Sequence, residues 1–166
     1  MLNTIGYEKA SPQNFLGTLQ KANIEILIDI RDRAQSRRPG FSKTALSENL
    51  KNGGIAYLHF KSLGDPKDGR DAARSGDFAT FRKIYRAVLK TDEAKSAIEE
   101  ISVLAASKRI CLMCYERDFT TCHRKLVSDI LETKLGSKVR HLGVQSFEPI
   151  FESKRRVCYS SEGAAA

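Results

Sequence analysis

The segment at residues 24–30, IEILIDI, constrains this chain more than any other. It is β-branched and almost continuously apolar. A strand of that kind must be covered on both faces, which is the environment of a parallel sheet flanked by helices. Asp29 is the only charge near its end.

The surrounding pattern supplies the helices. Residues 2–7 form a short apolar segment that stops at Gly6, and Ser11-Pro12 then offers a cap and a first-turn proline to a helix carrying Phe15, Leu16 and Leu19. Ser42 or Thr44 is placed to cap a helix running to Leu50, with Asn52-Gly53-Gly54 ending it before a third strand at 55–60. Asp77 is placed to cap a helix over 78–90, a second helix follows over 94–106, and 109–115 (RICLMCY) is the next strand. A helix over about 122–135, capped by Thr120 or Thr121 and closed by Gly136, leads to a last strand at 138–144. Strands that alternate with helices need right-handed crossovers. The expected fold is therefore α/β, a three-layer Rossmann-like domain with a mainly parallel sheet of about five strands.

A length of 166 residues fits one domain, taken as 1–160, with 161–166 as a frayed tail. The stretch 63–77, LGDPKDGRDAARSGD, has no apolar period and exceeds most connections in compact domains, so it is expected to be a lid, a binding loop or disordered. With 41% hydrophobic and 29% charged residues, the composition excludes a disordered chain. No apolar run approaches the ~18 residues of a membrane span, and the N-terminus lacks a signal-peptide pattern, so a cytoplasmic protein with no membrane partner is expected. In that compartment Cys111, Cys114, Cys122 and Cys158 are expected to be reduced. The net charge of +8 favours anionic partners without choosing among them.

In a parallel sheet, ligands bind beyond the carboxyl ends of the strands. The unusual residues fall there: Gly6-Tyr7 after the first strand, Asp29, Arg31, Arg37 and Arg38 after the second, Ser62-Leu63-Gly64 after the third, and Cys114, Glu116, Cys122, His123 and Arg124 after the fourth. Within CYERDFTTCHR (114–124), a helix N-terminus and the Arg124 fork make a natural anion site. The same helix field is expected to lower the pKa of Cys122 toward thiolate, and Glu116 is a candidate acid, base or arginine partner. Cys111, Cys114, Cys122 and His123 together are four zinc-type ligands, but strand alternation points Cys111 and Cys114 to opposite faces, so no metal is expected. The basic loop RDRAQSRRPGFSK (31–43) is suited to clamping phosphates, with Phe41 either stacking on a base or stapling the next helix. His59, Tyr57 and Phe60 are read as ordinary strand residues.

These motifs, TIGY, DIRDRAQSRRPGFSK, YLHFKSLGD and LMCYERDFTTCHR, together resemble the domain of unknown function 488 family over nearly all of residues 3–131. The resemblance implies that Asp29, Arg31, Ser36, Arg37, Leu63, Gly64, Cys114, Glu116, Cys122, His123 and Arg124 belong to one site. It implies neither reaction, substrate nor cofactor.

The resulting expectation is an enzyme, a hydrolase or transferase, or a sensor, acting on a phosphate-bearing small molecule such as a nucleotide, or on a nucleic-acid end. Cys122, His123 and Glu116 are its catalytic candidates. Asp29, Arg31, Arg37, Gly64, Cys114 and Arg124 are the candidates for ligand binding. The rivals are a non-catalytic nucleic-acid-binding module, using the basic loop and Lys154, Arg155 and Arg156, and a thiol redox sensor pairing Cys114 with Cys122.

Overall fold

The computed structural model, which describes residues 1–146, has five strands and six helices, with one helix in each strand-to-strand connection except the third, which has three. The strands are β1 (Leu2–Gly6), β2 (Ile26–Asp29), β3 (Ala56–His59), β4 (Ile110–Cys114) and β5 (Arg140–Leu142). The helices are α1 (Pro12–Lys21), α2 (Lys43–Asn52), α3 (Lys67–Arg74), α4 (Phe78–Val88), α5 (Asp92–Ser107) and α6 (His123–Leu135). The sheet has the order β3-β2-β4-β1-β5, and every pairing is parallel. The α/β class and the Rossmann-like layering expected from the sequence are what the chain forms. No helix among the described residues is long and apolar enough to cross a membrane.

Alternation along each strand divides the core. Leu2, Ile28, Ile110 and Leu112 face the layer formed by α4, α5 and α6, while Ile5, Leu27, Cys111 and Met113 face α1 and α2. β1 and β4 are buried at every position, as the central strands of a covered sheet must be. The chain leaves β1 and β2 toward one layer and leaves β4 toward the other. A crevice therefore opens above the carboxyl end of β4, between neighbours whose connections diverge.

Two expectations are corrected, and one pair of alternatives is decided. The stretch 63–77 is no structureless lid, because it contains α3, whose small Ala72 and Ala73 pack against the α4–α5 core. Its polarity hid it: the helix is begun by Pro66 and bears charge on most other positions. Neither Thr120 nor Thr121 caps α6. They lie in a 3₁₀ turn (Phe119–Thr121), and Cys122 is the N-cap residue, its Sγ accepting the Arg124 N–H at 3.5 Å. Of the two readings of Phe41, base stacking is removed and packing remains: it is fully buried, stacked on Tyr7 at 4.5 Å, edge-on to Phe15 at 5.3 Å, and in one cluster with Leu46 and Leu50 of α2. The expected basic tail Lys154–Arg156 and Cys158 lie outside the described residues.

Candidate functional site

Above β4 the four strand-end loops and α3 enclose a cavity of about 910 Å³. Its floor holds Cys114, Glu116, Cys122 and His123, its walls hold Tyr7, Arg31 and Asp65, and its rim holds Arg33, Arg37, Lys67, Arg70 and Arg74.

The wall is an internal brace. Asp29 is fully buried and its carboxylate accepts from the Arg31 Nε at 2.9 Å, from the Arg31 Nη2 at 2.6 Å and from the Tyr57 hydroxyl at 2.6 Å. The Arg31 Nη1 donates to the Tyr7 hydroxyl and to the Phe41 carbonyl, both at 2.9 Å. The last bond closes the loop that follows β2 onto its own start. Two residues expected to contact ligand, Asp29 and Arg31, thus have their polar atoms committed inside the protein. Charge in this interior is tolerated because both members of the pair are present and hydrogen-bonded. His59 joins the same structure through its Nε2, which lies 2.8 Å from the Arg31 carbonyl.

Arg124 is a second brace. It is 1% exposed and does not line the cavity; its Nη1 donates to the Glu116 carbonyl at 2.5 Å and its Nη2 to the Arg117 carbonyl at 3.1 Å. A guanidinium that could clamp a phosphate instead fastens the 115–122 loop to the first turn of α6. Gly64, also expected at the ligand, is packed against the backbone of the opposite loop, where a Cβ would lie 2.3 Å from the Asp32 N and Cα. Loops after β2 and β3 come together there because position 64 has no side chain.

The floor unites the catalytic candidates. Cys114 ends β4 on the face of α6, so the Cys122 and His123 side chains at the start of that helix meet it. The Cys114 Sγ lies 3.2 Å from the Glu116 Oε2 and 3.5 Å from the His123 Nδ1, and the Cys122 Sγ lies 3.9 Å from the same Nδ1. The four ligand-type atoms all lie within 4.8 Å of one another. Cys111 is on the other side of β4, among Leu27, Ile5 and Met113.

The electrostatics differ from the expectation for Cys122. Burial pushes its thiol well above the ordinary value, and the neighbouring Cys114 sulfur adds to this, outweighing the His123 charge. Burial also raises Cys114. Burial opposes the His123 cation, yet the Cys122 sulfur, the Glu116 carboxylate and the Ile30 carbonyl outweigh it and lift His123 to about 9. For Glu116, burial would raise the value, but thiol hydrogen bonds, its own backbone and the His123 charge hold it below the ordinary one. The pair to expect at neutral pH is imidazolium and carboxylate beside two thiols.

Asp65 is the site residue that sequence reasoning missed. It is 5% exposed, lines the cavity, and its Oδ1 is buried without a hydrogen-bond partner. The signal is present in SLGD after β3, where the sequence points to Ser62, Leu63 and Gly64 and passes over the aspartate beside them. Burial raises its pKa from 3.8 to about 6; the His123 and Arg70 charges oppose the shift, and Glu116 and Asp32 reinforce it. Between those two values the folded protein binds more protons than the unfolded chain, so the carboxylate makes folding less favourable as pH rises from about 4 to 6 and remains a cost above that range. The cost is about 3 kcal/mol at neutral pH. Asp65→Asn is therefore expected to melt higher than the natural protein at pH 7.5 and to lose that advantage near pH 4. An Asn variant that melts lower at pH 7.5 contradicts this account.

The rim is cationic. Arg33 and Arg37 are exposed and have no carboxylate partner among the described residues. Arg37 is thus the one expected ligand-binding arginine that remains free. On α3, Arg70 reaches the Asp32 carboxylate at 3.0 Å and the Asp65 carbonyl, which anchors the helix over the cavity. Lys67 and Arg74 are exposed and have only loose contacts with Asp71, at 4.0 and 3.4 Å.

No curated protein and no solved structure matches the chain. A family model, Domain of unknown function DUF488, matches residues 11–131, a span that contains β2, β3, β4 and all the floor and rim residues. On that match the chain belongs to the family of the domain of unknown function DUF488.

Proposed function

We propose that the strand-end cavity binds a phosphate-bearing ligand, a nucleotide or a nucleic-acid end, and that it is a reaction site. The observation that carries this reading is the cavity's polarity. A rim with Arg33, Arg37, Lys67 and Arg74, none held by a close buried partner, surrounds a floor with titratable groups in mutual contact. Exposed guanidinium groups on two separate elements can close on an anion bidentately, and the enclosed space raises the strength of each contact. Arg31 and Arg124 support this arrangement from behind by holding the two loops in place.

His123, with its proton-donating Nδ1 beside the sulfurs, and Asp65, with its unpartnered oxygen, are suited to moving protons to and from a bound group. Cys122 and Cys114 are buried and predominantly protonated, so neither has the character of a free-standing nucleophile.

The test is a thermal-shift titration with mononucleotides, inorganic phosphate and short oligonucleotides, since a ligand of the folded state raises the Tm by mass action. A rise with mononucleotide that falls at least tenfold in apparent affinity in Arg33→Ala/Arg37→Ala is the expected result, a loss of about 1.4 kcal/mol or more. A rise with oligonucleotides alone, erased by salt, would replace this reading with the nucleic-acid-binding module.

A further inference from the structure

We propose that Cys114, Glu116, Cys122 and His123 form a binding site for a thiophilic divalent cation of the Zn²⁺ class. The inference does not depend on which ligand the cavity takes; with the ion bound, the His123 Nδ1 is a metal ligand and proton transfer is left to Asp65.

A tetrahedral Zn²⁺ with sulfur at ~2.3 Å and nitrogen or oxygen at ~2.0–2.1 Å holds its ligand atoms about 3.3–3.8 Å apart. The structure already has the His123 Nδ1 at 3.5 Å from the Cys114 Sγ and 3.9 Å from the Cys122 Sγ, with the Glu116 Oε2 at 3.2 Å from the Cys114 Sγ. All four atoms fall within 4.8 Å of one another, so small side-chain adjustments would complete the tetrahedron.

The histidine is oriented for this role. Its Nε2 lies 3.0 Å from the Ile30 carbonyl, which can only accept, so Nε2 carries a proton, and loss of the other ring proton to an incoming cation leaves the Nδ1 lone pair facing the sulfurs. A ring nitrogen tied to a backbone carbonyl is the usual outer partner of a metal-bound histidine. The Tyr85 ring, 5.1 Å from that of His123, covers it on the other side.

The donors come from two rigid places, the last residue of a central strand and the first turn of α6, with Glu116 on the loop that Arg124 fastens. Two sulfurs with one imidazole and one carboxylate select zinc, or cobalt in its place, over magnesium or calcium. On binding at neutral pH, both thiols and the Nδ1 of the His123 imidazolium release their protons to solvent, leaving two thiolates and a neutral imidazole as ligands; nothing is oxidised or reduced.

The test is titration of the reduced, metal-free chain with Co²⁺, kept reduced by a non-thiol phosphine. The expected result is saturation at one ion per chain, with the intense visible bands of tetrahedral cobalt and a near-ultraviolet thiolate-to-cobalt band, both erased by equimolar Zn²⁺. Cys111→Ala, which removes the thiol on the opposite face, should bind as the natural protein does. Cys122→Ser and Glu116→Gln, each checked for folding by circular dichroism, should bind more weakly; for Cys122→Ser the loss should exceed the roughly tenfold to hundredfold that an outer partner costs. Three results would overturn the proposal: no tetrahedral cobalt spectrum from the folded natural protein, a spectrum unchanged in folded Cys122→Ser, or loss of the spectrum in folded Cys111→Ala.

Discussion

Asp29→Ala should destabilise the protein by about 3–5 kcal/mol, the cost of leaving a buried guanidinium without its counter-charge. Arg31 is 6% exposed and would retain only the Tyr7 hydroxyl and the Phe41 carbonyl. Small domains have roughly 5–15 kcal/mol in total, so the loss is a large share of stability and corresponds to a Tm lower by roughly 10 °C. Because the damage comes from the unpaired charge, removing the partner should repair it: Asp29→Ala/Arg31→Met is expected to melt above Asp29→Ala alone. Denaturant unfolding of the three chains measures both values. A single variant that loses under 1 kcal/mol, or a double variant no more stable than the single, means the brace does not hold the loop after β2.

Gly6→Ala should cost about 3 kcal/mol, at the upper end for added bulk in a packed interior. A Cβ at this position would lie 1.8 Å from the Glu116 carbonyl oxygen and 2.9 Å from the Arg124 Nη1. The oxygen belongs to the backbone, so the 115–122 loop must move, and the Arg124 bond to that same oxygen must lengthen or break. Glu116 should shift with it. Gly143→Ala, where nothing lies within 4 Å of the added atom, is the control and should stay within about 0.5 kcal/mol. Equal Tm values for the two variants would mean that the close approach at Gly6 is not required.

Much of the architecture was legible because it rests on local chemistry. The apolar run ending in Asp29, the Ser11-Pro12 start and the Gly136 stop each act within a few residues of themselves, and α1 begins at Pro12 with the Ser11 hydroxyl accepting the Asn14 N–H. Gly136, at φ 61°, ends α6 as its position suggested. α3 was not legible, since its hold on the domain comes from Arg70 reaching Asp32 and Asp65, residues that no helical period connects to it.

For the site, the sequence by itself determined which loops meet: parallel strands put every β-to-α connection at one edge, so Cys114, Glu116, Cys122 and His123 had to arrive together. What only the tertiary structure decided is which side chains face the cavity and which are braces. Arg31 and Arg124 look like anion clamps in a string of residues, and packing gives them buried carboxylate and carbonyl partners instead. Asp65 is an unremarked turn residue until burial strips it of water and raises its pKa to about 6. Residue type and spacing are properties of the chain. Desolvation and hydrogen-bond partnership depend on atoms distant in sequence, and they exist only once the loops after β1, β2, β3 and β4 have closed on one another.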